Sequence, residues 1–127
     1  MVKETSIVVI DDEVEICSFL EDLLAAEGYT VYTACDPVEG LWKVEKLRPD
    51  LVMLDMQMPR MNGTEVLRRI KKIDGATTVI IITGFSAMSS VRDAMRLGAF
   101  AYISKPFHLA EVKALVKALV KAALGHM

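Results

Sequence analysis

Two hydrophobic periods alternate along this chain. Ile7-Val8-Val9-Ile10, Leu51-Val52-Met53-Leu54, Val79-Ile80-Ile81-Ile82 and Phe100-Ala101-Tyr102-Ile103 are apolar runs of strand length. Between them, apolar residues recur at helical spacing. Ile16, Leu20, Leu23 and Leu24 make one such face, with Gly28 placed to cap its C-terminal end. Residues 30–34 are shorter and alternate in polarity, as a strand at a sheet edge does. Asp36-Pro37 then supplies an N-cap and a first-turn proline for a helix running to about Lys46. Val66, Leu67, Ile70 and Ile73 form the inner face of a third helix. A fourth is expected over 86–97, with Val91, Ala94 and Met95 inward and Gly98 as its stop. The last carries Leu109, Val112, Val116, Leu119 and Val120.

Strands alternating with helices predict an α/β fold: a five-stranded parallel sheet with helices on both faces. Residues 51–54 are apolar on both sides and belong at its centre. Right-handed crossovers wound in two directions create a switch point, and ligands bind there at the strands' C-terminal edge.

Each main run ends in a reactive group at that edge. The first is followed by Asp11-Asp12, the second by Asp55, the third by Thr83, and the fourth, through Ser104, by Lys105. Taken singly, these residues have ordinary explanations. Asp11-Asp12-Glu13 could decorate a helix N-terminus, Asp55 could cap a loop, Thr83 could be a strand residue and Lys105 could face solvent. Tyr102 reads as core. Taken together, they place three carboxylates, a hydroxyl and an ammonium in one crevice. Two carboxylates about 4 Å apart repel by about 4 kcal/mol at an effective dielectric near 20. Such a site shifts a pKa, recruits Lys105 or binds a cation. Oxygen ligands without histidine or thiol favour Mg²⁺ or Ca²⁺, and Mg²⁺ suits a site that also takes phosphate. Asp55, at the end of a buried strand, reads as a nucleophile that forms an aspartyl phosphate. A cation on Asp11 and Asp12, with Lys105 and Thr83, would neutralise the transferring group.

Composition narrows the classes. The 127 residues are 53% hydrophobic, enough for a core, and no apolar stretch approaches the roughly 20 residues of a membrane span. Residues 1–5 lack an apolar signal region, so a cytoplasmic location is expected. A net charge of −2 argues against direct nucleic-acid binding. Cys17 and Cys35 form no CxxC motif and are expected to be free thiols packed as small apolar residues. With only His108 and His126 as imidazoles, zinc is not expected.

Asp11-Asp12, Asp55 with Met58-Pro59 and Gly63, Ile82-Thr83-Gly84 and Lys105-Pro106-Phe107 together resemble the receiver domain of bacterial two-component response regulators. The resemblance covers about residues 5 to 122 of what reads as a single domain over 1–127, with 125–127 as an unstructured tail. It implies a flavodoxin-like (βα)5 fold with strand order 2-1-3-4-5. It also implies that Asp55 is the phospho-acceptor. Asp11, Asp12, Asp55 and the Gln57 backbone carbonyl would hold Mg²⁺. Thr83 and Lys105 would contact the phosphoryl group, and Tyr102 would be an aromatic switch. The Lys105–Pro106 bond would be cis. Gly84 stands where the family often has alanine. Phe85 and Gln57 flank the path of a hydrolytic water, and bulky Phe85 is expected to lengthen the phosphoryl lifetime.

The resemblance implies a regulatory domain and not a classical enzyme, beyond its own phosphorylation and slow autodephosphorylation. The donor would be a sensor histidine kinase or phosphotransfer protein. The output would be an effector domain or homodimer contact through the fourth helix, fifth strand and fifth helix. Lys113, Lys117 and Lys121 on that last helix read as a solvated face. Three other classes fit less well. A flavodoxin-like electron carrier needs a Ser/Thr/Gly-rich phosphate loop where Asp11-Asp12-Glu13 stands. An aspartyl phosphatase needs a DxD motif after the first strand. A phosphate-independent binding scaffold would not need the acidic pocket.

Overall fold

The computed structural model describes residues 4–84, 88–106 and 109–125. Strands β1 (Ser6–Ile10), β2 (Thr30–Ala34), β3 (Leu51–Asp55), β4 (Thr78–Gly84) and β5 (Ala101–Lys105) alternate with five helices. These are α1 (Val14–Ala26), α2 (Pro37–Leu47), α3 (Gly63–Ile73), α4 (Met88–Arg96) and α5 (Leu109–Leu124). All neighbouring strands pair in parallel in the order β2-β1-β3-β4-β5. The expected architecture and strand order are both present.

Side chains on a strand alternate between faces, and here each face has its own core. Val8, Ile10, Val52, Leu54, Val79 and Ile81 pack against Val44, Val66, Leu67, Ile70, Val91 and Ala94 of α2, α3 and α4. Ile7, Val9, Leu51, Met53, Ile80, Ile82 and Ile103 pack against Leu20, Leu24, Val116 and Val120 of α1 and α5. β3 is buried at every position, as a central strand covered on both sides must be.

The helix ends are built locally. The Asp36 side chain accepts the Glu39 N–H at the start of α2, and Asn62 accepts the Thr64 N–H at the start of α3. Gly63 opens α3 against the backbone of Met56, where a Cβ would lie 2.6 Å from the Met56 Cα. That contact fixes the return of the chain from β3.

Several expectations need correction. Met95 is 42% exposed, because a nine-residue α4 buries a narrow stripe that Val91 and Ala94 already fill. β5 starts at Ala101, and Phe100 lies half-exposed in the preceding turn, its N–H donated to Val79. Cys17 is buried in the α1-side core, but Cys35 is exposed, so only one of the two free thiols packs as an apolar residue. Burial, aided by the nearby Cys35 and Asp11, pushes the Cys17 thiol up to about 12 and leaves it a poor nucleophile. Tyr102 is 45% exposed, which sets aside the ordinary reading of it as a core residue and leaves its reading as a switch untouched. Lys117 forms an ion pair with Glu27, while Lys113 and Lys121 are solvated. Phe85, residues 86–87, the side chains of Leu109 and Val112, and 126–127 of the tail lie outside the described residues.

Candidate functional site

Strand alternation decides which side chains can meet. Asp55 follows Leu51 and Met53 in the pattern that faces α1 and α5. Lys105 follows Ile103 onto the same face. Asp11, whose N–H extends the β1–β2 ladder to Ala34, follows Ile7 and Val9 there too. Register then aligns them: Ile10 pairs with Leu54, Asp55 with Ile82, and Ile82 with Ile103. Thr83 and Tyr102 fall on the opposite face, towards α4, on adjacent strands with Ile81 paired to Tyr102.

The groups do converge. Oxygen atoms of Asp11, Asp12 and Asp55 lie within 4.8 Å of one another. Asp11 and Asp55 are buried and Asp12 is exposed. The Lys105 ammonium sits 2.9 Å from Asp11 Oδ2 and 3.3 Å from Asp55 Oδ2. Asp11 Oδ1 accepts the Glu13 N–H at 2.8 Å, and Asp55 Oδ1 accepts the Gln57 N–H at 2.9 Å. Thr83 is buried on the other face at the same edge of the sheet, its hydroxyl donating to the Gly84 carbonyl at 3.2 Å and to none of the three carboxylates. The Lys105–Pro106 bond is cis, as the resemblance implies.

Burial dominates the electrostatics. It raises the pKa values of Asp11 and Asp55 above the ordinary carboxylate range, although backbone N–H donors and Lys105 work against it. The charge of Asp11 raises Asp55 further. Asp12 is also raised, by desolvation and by Asp55. Burial alone would lower Lys105, but contacts with Glu13 and Asp11 and the charge of Asp55 outweigh it, so its pKa stands above the usual lysine value.

A raised folded pKa means that the folded state binds more protons than the unfolded chain between the two values. Wild-type stability therefore falls as pH rises through that window. Asp11→Asn has no such proton to lose. Without divalent ions it is expected to melt a few degrees higher than wild type at neutral pH. Its advantage should shrink as pH falls to about 4, the ordinary carboxylate value. Thermal unfolding followed by circular dichroism against pH checks this.

The residues present fit a hard divalent cation. All the available donors are oxygens. Asp11 Oδ2 is buried and, among the described residues, accepts no hydrogen bond even though it lies in ion-pair contact with Lys105. A buried carboxylate oxygen with lone pairs left over beside its ion pair with Lys105 is the feature a divalent cation would satisfy.

Two contacts were not anticipated from the sequence. Glu13, read there as helix decoration, makes the shortest contact with Lys105, at 2.8 Å. The Gln57 side chain, although exposed, accepts the Gly84 N–H at 3.0 Å. For Glu13 the signal was its place two residues after Asp11; for Gln57 the sequence carried none.

Comparison with known proteins gives the family. A family model described as the response regulator receiver domain matches residues 7–117. The chain is 38% identical over 111 residues to sporulation initiation phosphotransferase F of Bacillus subtilis, covering 87% of this chain and 90% of that protein. It is 36% identical over 115 residues to the alkaline phosphatase synthesis transcriptional regulatory protein PhoP of the same organism. That match covers 91% of this chain but 48% of the relative, so the chain spans about half the length of several curated relatives. A response regulator receiver domain protein from Clostridium thermocellum superposes with a TM-score of 0.82 at 34% identity, covering 97% of this chain and 99% of that one.

Proposed function

The chain belongs to the response regulator receiver domain family, and from that premise we propose that it is a phosphorylation-activated signalling switch whose acceptor is Asp55. One observation carries this reading. Three carboxylates whose oxygen atoms lie within 4.8 Å share an edge with an ammonium 3.3 Å from Asp55 Oδ2. The receiver unit is assigned to about residues 5 to 122 as a single domain.

The chemistry follows from the site. An Asp55 carboxylate oxygen attacks phosphorus, forming an acyl phosphate as the donor bond breaks. That bond is P–N when a phosphohistidine imidazole leaves, and P–O when acetate leaves acetyl phosphate. Mg²⁺, held by Asp11, Asp12, Asp55 and the Gln57 carbonyl, would neutralise charge on the phosphoryl oxygens. Lys105 is already placed against Asp55 and supplies a fixed positive charge. Thr83 stands one residue beyond Ile82, the register partner of Asp55, and its hydroxyl, which at rest donates to the Gly84 carbonyl, would swing to a phosphoryl oxygen. That movement opens space on the α4 side, and Tyr102, now exposed, turns inward. The surface of α4, β5 and α5 then presents a different face to an effector domain or a second copy. Shifting a 1:99 equilibrium to 99:1 would take about 5.5 kcal/mol.

A sensor histidine kinase or phosphotransfer protein is the donor, as the name of the phosphotransferase relative supports. The transcriptional role in other relatives' names belongs to proteins about twice as long, and direct nucleic-acid contact is not assigned to this chain. No helix among the described residues is long and apolar enough to cross a membrane, and a cytoplasmic site of action is proposed.

Intact-mass spectrometry with acetyl phosphate tests the reading. One phosphoryl group should be gained with Mg²⁺ and almost none with a chelator; uptake indifferent to Mg²⁺ would contradict it. Asp12→Asn should weaken Mg²⁺ binding about tenfold or more, since it removes a charged oxygen ligand; calorimetric titration measures this.

A further inference from the structure

The β3–β4 ladder ends before its donors do. Alternate residues on a strand direct their N–H and C=O groups to the same neighbour. The Ile82 carbonyl accepts the Met56 N–H at 2.9 Å, so Gly84, two residues on, also faces β3. β3 has by then ended at Asp55. The Gly84 N–H therefore meets no β3 carbonyl and must find its acceptor outside the ladder. Its acceptor is the side-chain oxygen of Gln57, 3.0 Å away. The same residue's backbone N–H donates to Asp55 Oδ1. Gln57 thus ties the acceptor carboxylate to the last residue of β4. The arrangement requires glycine at 84, because a Cβ there would lie 2.7 Å from Gln57 Oε1.

Building on the assignment of Asp55 as phospho-acceptor, we propose that the Gln57 side-chain amide is a placeholder, occupying the Gly84 N–H at rest and surrendering it to a phosphoryl oxygen on Asp55. A phosphoryl oxygen carries negative charge, and charge-assisted hydrogen bonds are roughly twice as strong as neutral ones. Exchange of partner at Gly84 therefore favours the phosphorylated state, and the resting bond opposes it. Gln57 is a positioning residue; it takes no part in bond making. Gly84 matters because it admits the amide arm, and alanine at 84 would expel that arm with residue 57 left as glutamine.

Phosphorylation by acetyl phosphate with Mg²⁺ should be timed by intact mass for wild type, Gln57→Met, Gly84→Ala and the double variant. Methionine keeps the length of the arm and removes its acceptor. Each single variant should react about fivefold faster, the factor equivalent to about 1 kcal/mol for one neutral hydrogen bond. The double variant should be no faster than either single one, since both break the same contact. Hydrogen exchange at the Gly84 amide, read by NMR, should accelerate in Gln57→Met and keep its wild-type protection in Gln57→Glu, which retains an acceptor oxygen. Unchanged or slower phosphorylation in the single variants, or additive effects in the double, would overturn the placeholder. Failure of wild type to take up phosphate would instead overturn the assignment of Asp55, and the placeholder with it.

Discussion

Asp55→Asn is expected to abolish phosphorylation: no mass gain from acetyl phosphate under conditions that load wild type fully. An amide oxygen is a poor nucleophile, and the product would lack the acyl phosphate linkage. The other carboxylates do not offer a substitute in the same position. Asp11 Oδ2 faces Lys105 from the end of β1, and Asp12 is exposed. The substituted protein should still fold. Asp55 is a buried carboxylate whose ionised form is disfavoured by burial and by Asp11, so a neutral residue of the same shape relieves that cost. Loss of uptake with a melting temperature at or above that of wild type is the combined result. Uptake equal to wild type would remove Asp55 from its role.

Lys105→Met should slow phosphorylation by about a hundredfold. It deletes a fixed positive charge from a partly buried site where charge develops, the kind of loss that typically costs two to three orders of magnitude. The effect on stability should depend on metal. Lys105 is the shared partner of Asp11, Glu13 and Asp55, so its removal leaves three acids facing one another. The variant is expected to melt below wild type in chelator and to recover most of that loss when Mg²⁺ is added, because a bound cation stabilises the folded state by mass action. Lys105→Arg, which keeps the charge, should lose less in both measurements. A Lys105→Met protein that phosphorylates at the wild-type rate would place the ammonium outside the reaction.

The sequence made the fold and the meeting of Asp11, Asp12, Asp55 and Lys105 legible for one reason. In a parallel sheet, the ends of strands fall together, so a residue's place after an apolar run gives its place in space. What lay beyond the strands was less legible. Glu13 reaches Lys105 across 92 positions of sequence, and no local pattern reports such a contact. The Gln57–Gly84 hydrogen bond depends on a ladder that lacks one carbonyl, which requires the register between β3 and β4. Helical spacing points Met95 inward because it gives a face but not its width, and α4 is short. Residue type alone points Cys35 to the core, although it follows an edge strand and is exposed. Tyr102 reads as core by its aromatic character, while strand alternation sends it to the α4 side, where it stands partly in solvent.

The claim on which the rest depends is that the phosphoryl group is carried by the carboxylate at the end of β3. Borohydride reduces an aspartyl phosphate to homoserine, which marks the modified residue permanently. Protein treated with acetyl phosphate and Mg²⁺, reduced with borodeuteride, digested and sequenced by mass spectrometry should contain deuterated homoserine at position 55 and nowhere else. Homoserine at position 11 or 12, or phosphate recovered on a hydroxyl such as Thr83 with position 55 intact, would contradict it.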